Sequence, residues 1–92
     1  MISRHDYKMG GYVLSWDYDP DEHDARNLKD NNLYIEGIWN MSDTVGGKRP
    51  DTCTGVQIID DKTFSFTTFR GMRYTMTIEG GKVELVTRIL VK

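Results

Sequence analysis

Polar and apolar residues alternate through the second half of the chain. Met72, Tyr74, Met76 and Ile78 fall on one parity and Arg73, Thr75 and Thr77 on the other. A period of two puts successive side chains on opposite faces of an extended backbone, so Met72 to Ile78 reads as a strand with one buried face. Thr63 to Phe69 repeats the pattern, with Phe64 and Phe66 opposed to Ser65 and Thr67. Thr52 to Ile59 is rich in the β-branched residues that suit a pleated sheet. Val83 to Val91 sets Val83, Leu85, Ile89 and Val91 on one face, with Thr87 among them. Short turn signals separate these runs: Asp60-Asp61-Lys62, Arg70-Gly71 and Gly80-Gly81. Four consecutive strands with short turns predict an antiparallel meander.

The last of these strands also carries Val86 and Leu90 on its second face. A strand that is apolar on both faces belongs inside a sheet or beneath another element. This predicts a curled sheet or small, partly open barrel, or a face covered by the N-terminal region.

Two earlier strands are expected. Leu33 to Met41 has Leu33, Ile35, Trp39 and Met41 in phase, with Gly37 marking a bulge or bend. Gly11 to Asp17 alternates Tyr12, Leu14 and Trp16 with Val13 and Ser15. Between them, Asp19-Pro20-Asp21-Glu22 offers an acidic N-cap, a proline at the first helical position and a glutamate two residues on. Residues 20–29 are therefore expected as a short surface helix, with only Ala25 and Leu28 on its apolar side. Ser42 to Asp51 has no periodicity and reads as a loop. The fold class expected is mainly β with one short helix, an antiparallel meander of about six strands.

Ninety-two residues make one domain, spanning 1–92, with 1–10 as a flexible lead-in. At 38% hydrophobic and 28% charged, the chain has the composition of a globular protein rather than a disordered one. A single cysteine, Cys53, excludes an intrachain disulfide. Met1 to Met9 carries Arg4, His5, Asp6 and Lys8 and lacks the apolar core of a signal peptide. No run approaches the ~18 apolar residues of a membrane span. A cytoplasmic protein without membrane contact is expected.

Charge changes this picture more than composition does. The net charge of −2 argues against direct nucleic-acid binding, which wants a basic face. Yet Asp17, Asp19, Asp21, Glu22, Asp24 and Asp30 face only Arg26 and Lys29 in the same segment, a local −4. The remaining eight acids and ten bases leave +2 elsewhere. The acids are concentrated in one stretch of chain.

None of the tests for chemistry names a reaction. His23 among Asp19, Asp21, Glu22 and Asp24 provides one imidazole and no calcium-loop spacing, so no metal is expected. Cys53 lies far along the chain from His5 and His23, without an activating base, and reads as a buried thiol. Gly10-Gly11, Gly46-Gly47 and Gly80-Gly81 lack a phosphate-loop frame. Asp60-Asp61 sits at a hairpin tip, where water should keep both carboxylates ordinary. Phe69, Arg70, Arg73 and Tyr74 could form a basic-aromatic patch, or simply the end of a hairpin. Hence no catalytic residues, no cofactor and no enzyme activity are expected.

Gly37-Ile38-Trp39 resembles the G-x-W that opens the first barrel strand of lipocalins, and Arg88 could play that family's late arginine, which packs on the tryptophan. This resemblance implies a small β-barrel with an apolar ligand cavity near Trp39. Only about four strands follow Trp39, so it also implies a dimer or a very small barrel. A structural or adaptor subunit is a further alternative.

The stretch from Asn32 to Lys92, with its LYIEGIWNM, TFSFTTF and IEGGKVELV segments, resembles small β-rich immunity proteins of bacterial toxin systems, including contact-dependent growth inhibition. The resemblance implies a non-enzymatic inhibitor that covers the basic cleft of a cognate, nuclease-type protein toxin. Carboxylates would steer the encounter and aromatics would anchor it. The expected partner-binding residues are Trp16, Asp17, Tyr18, Asp19, Asp21, Glu22, Asp24 and Asp30.

Overall fold

The computed structural model describes residues 3–18, 33–46 and 53–91. The helix expected over 20–29 lies outside them. The described chain forms β1 (Ser3–Met9), β2 (Tyr12–Tyr18), β3 (Leu33–Ile35), β4 (Trp39–Asn40), α1 (Met41–Val45), β5 (Cys53–Ile58), β6 (Thr63–Thr68), β7 (Met72–Glu79) and β8 (Lys82–Leu90). They build two antiparallel four-stranded sheets, β1-β2-β3-β4 and β5-β6-β7-β8, each in sequence order. The mainly β, antiparallel expectation and the C-terminal meander agree with this architecture. Neither sheet closes into a barrel.

One core joins the sheets. Met9, Leu14, Leu33, Ile35 and Trp39 come from the first sheet, Met41 from α1, and Phe64, Phe66, Tyr74, Met76 and Ile78 from the second. The Trp39 ring lies 5.5 Å from Phe64 and 5.8 Å from Phe66, and Phe66 stacks on Tyr74 at 4.9 Å. These are normal separations for offset and edge-on aromatic packing. Burying such rings contributes on the order of 1.5–3 kcal/mol each. The period-two expectation is met for the apolar parity: Phe64, Phe66, Tyr74, Met76 and Ile78 are buried, while on the other parity Thr63, Thr67, Thr75 and Thr77 are half-buried and Ser65 is buried as well.

The N-terminus departs from the flexible lead-in. β1 pairs with β2 from Ser3↔Tyr18 to Met9↔Tyr12, closing on the Gly10-Gly11 turn. Its polar residues hid it, because an edge strand with one wet face needs few apolar side chains; here Met9 is the buried one.

Leu33 to Met41 is not one strand. Gly37 adopts a φ of 77°, and the Ile38 N–H donates to the Ile35 carbonyl at 2.9 Å, so β3 and β4 form a tight hairpin. The four apolar residues nevertheless all reach the core.

Nor is Ser42 the start of a loop. The Asn40 side chain accepts from the Ser42 N–H at 3.1 Å, and the Asp43 carboxylate accepts from the Asn40 N–H at 3.0 Å. This reciprocal cap starts α1, which buries Met41.

The largest correction concerns β8, which lies at the edge of its sheet rather than inside it. Thr75 pairs with Thr87 but Met76 pairs with Leu85, leaving Val86 as a bulge. Directly paired residues of antiparallel strands share a face. Val83 and Leu85 therefore point with Ile78 and Met76 to the core side, joined after the bulge by Arg88 and Leu90. Thr87 and Ile89 point the other way, with Thr75 and Arg73. The expected grouping of Val83, Leu85 and Ile89 on one face fails because the extra residue reverses the phase.

Candidate functional site

Two regions stand out: the end of the first sheet where the acidic segment attaches, and the open edge at β8.

At the first, Trp16 in β2 pairs with Leu33 in β3. β2 therefore ends at Tyr18 close to where β3, the neighbouring strand, begins at Leu33. Trp16 is half-buried and stacks on His5 of β1, centroids 5.4 Å apart and planes 18° apart. It also borders a hollow of about 250 Å³ shared with Cys53, Thr54, Gly55 and Val56 of β5. Asp17 and Tyr18 belong to β2. The side chains of both, and all of Asp19, Asp21, Glu22, Asp24 and Asp30, lie outside the described residues.

The opposite face of this sheet holds a small charged cluster. Arg4 approaches Asp6 at 3.5 Å, and its guanidinium lies 5.7 Å from the Tyr34 ring centroid. Ser15, buried between strands, donates its hydroxyl to Asp6. That bond, helped by Arg4, holds the Asp6 carboxyl below its ordinary pKa.

At the second region, Leu85 is 48% exposed, Val86 55%, Ile89 53%, Leu90 66% and Val91 41%. Both faces of β8 therefore meet water beyond Val83.

The other candidates dissolve into structure. Cys53 is buried, and its thiol reaches the Gly55 carbonyl at 3.6 Å. Tyr74 is buried on the core side, whereas Arg73 points outward and donates from Nε to Thr67 Oγ1 at 3.3 Å. Phe69, Arg70, Arg73 and Tyr74 therefore present no single basic-aromatic surface. Asp60 accepts the Lys62 N–H at 2.8 Å. That bond, with further bonds from Thr63, lowers the Asp60 pKa. Its carboxylate is not the ordinary one expected of a hairpin tip, because the turn aims backbone donors at it. No group of three or more metal-ligating side chains occurs among the described residues, and none of their helices is long and apolar enough to cross a membrane.

The lipocalin-like motif is likewise placed differently. Gly37 forms the turn, Trp39 lies in a two-residue strand, and the indole Nε1 donates to Thr44 Oγ1 at 2.9 Å. Trp39 fills the core. The hollow beside it, about 410 Å³, is an open depression lined in part by Glu36, Asn40 and Asp43. Arg88 is exposed and sits opposite Tyr74.

Sequence reasoning found Trp16 but missed His5, whose stacking role follows only from the β1–β2 register. It also missed the exposure of β8, although that strand's two-faced apolar pattern was the available signal. Comparison with known proteins finds no matching family model, curated protein or solved structure.

Proposed function

We propose that this protein is a non-enzymatic, cytoplasmic inhibitor of the immunity type, which neutralises a cognate nuclease-type bacterial toxin by covering its basic cleft. The observation that supports this reading is the Trp16↔Leu33 pairing. It sets the end of β2 beside the start of β3, so the two described residues that flank the acidic segment, Tyr18 and Leu33, belong to adjacent strands, and the stretch from Asp17 to Asp30 carries a local charge of −4. Concentrated carboxylates attract a phosphate-binding cleft over a distance of about one Debye length, roughly 8 Å at physiological salt. Trp16, held against His5, supplies an aromatic anchor at the root of that segment.

The experiment is to mix the purified protein with a basic nuclease domain encoded beside it, at low salt. Complex formation with loss of nuclease activity is expected. Full nuclease activity with the protein in excess would count decisively against the reading.

A further inference from the structure

The open edge of β8 carries an independent inference. The Val91 N–H donates to the Gly71 carbonyl at 2.8 Å, so Val91 faces β7. By alternation Ile89 and Thr87 also face β7, while Leu90 and Arg88 turn their backbone donors and acceptors to the open edge. On the other side of the bulge, the Ile78 N–H donates to the Lys62 carbonyl at 2.8 Å, toward β6. Its β8 partner Val83, and Leu85 opposite Met76, therefore also turn their backbone groups to the open edge, while their side chains lie on the core face.

The outward positions are thus Val83, Leu85, Arg88 and Leu90, separated by two, three and two residues. This spacing reads the same from either end. An ordinary strand, with outward groups every second residue, matches it on one side of the bulge only. A second β8 running antiparallel matches it on both sides. Val83 of one copy then faces Leu90 of the other, and Leu85 faces Arg88, twice over about a two-fold axis.

We propose that β8 is a dimerisation strand, whose occupant is β8 of a second copy of this chain. Pairing would join the two β5–β8 sheets into one. Leu85, Val86, Ile89 and Leu90 of β8 are all exposed, with Val91 directly after them, so the strand carries a continuous apolar strip rather than scattered single residues. An interface of one strand from each copy lies at the small end of the range for specific interfaces, so association should depend on concentration. The edge strand β1 shows the opposite design, with Arg4, His5, Asp6 and Lys8 along it.

Sedimentation velocity over a concentration series, under reducing conditions because Cys53 is in no disulfide, tests this directly. The wild-type mass should rise from 10.6 kDa to twice that value. Arg88→Pro removes an outward N–H without breaking the β7 ladder, and should remain at the lower mass. Leu85→Lys places a cation opposite Arg88 of the other copy and should do the same. The double variant Leu85→Lys/Arg88→Glu restores opposite charges across the axis and should recover the dimer. Leu85 is exposed, so Leu85→Lys keeps the test valid even where the proline variant fails to fold. A wild-type chain that stays monomeric at every concentration, a dimer unaffected by Leu85→Lys, or a double variant that fails to recover would overturn the proposal.

Discussion

Gly10 sits directly over the backbone of Asp61: a Cβ at position 10 would lie 2.8 Å from the Asp61 carbonyl oxygen. The β1–β2 turn of one sheet thereby touches the β5–β6 turn of the other. Gly10 also holds a φ of 49°, so any side chain there meets both a contact and a conformational penalty. Gly11, at a φ of 94°, has open space around its missing Cβ. Gly10→Ala should therefore destabilise the protein by about 2 kcal/mol or more and Gly11→Ala by roughly 1 kcal/mol. Urea unfolding of the pair checks this; equal losses would mean that the inter-sheet contact contributes nothing.

Thr68 is buried opposite Cys53, and its Oγ1 has no hydrogen-bond partner among the described residues. A buried hydroxyl left unpaired costs about 1–3 kcal/mol. Thr68→Val keeps the shape and removes the polar atom, so it should stabilise the fold by about 1 kcal/mol. A lower unfolding midpoint in the valine variant would show that the hydroxyl is satisfied in solution.

Asp60 provides a pH dependence. Its folded pKa is lowered, chiefly by the Lys62 N–H and then by Thr63, so the folded state favours the carboxylate. The stabilisation is complete above the unfolded value, near pH 4, and is lost as pH falls through the lower folded value. Asp60→Asn should therefore be less stable than wild type at neutral pH, and the gap should close in acid. The measurement is denaturant unfolding across the acid range, where a gap that does not change with pH would remove the carboxylate's charge from the account.

The fold was legible wherever one face of a strand had to be dry. Phe64, Phe66, Tyr74, Met76 and Ile78 reveal themselves by period two because water contacts only the other parity. β1 was hidden because its place at an edge lets polar residues occupy both parities. The phase reversal in β8 was hidden because a bulge adds a residue without altering composition. Only the pairing of Thr75 with Thr87 and of Met76 with Leu85 exposes it. At the candidate site, Trp16 was visible as an aromatic at the root of an acidic run, whereas its contact with His5 depends on register.

The central claim, that the acidic segment docks on a basic partner, is tested most directly by association kinetics across a salt series. The wild type is compared with the Asp21→Lys/Glu22→Lys/Asp24→Lys variant, against the neighbouring basic nuclease domain. The account predicts fast wild-type association that falls steeply with salt, and a variant slower by about tenfold or more with a flatter salt dependence. Identical rates and identical salt slopes for the two proteins would contradict it.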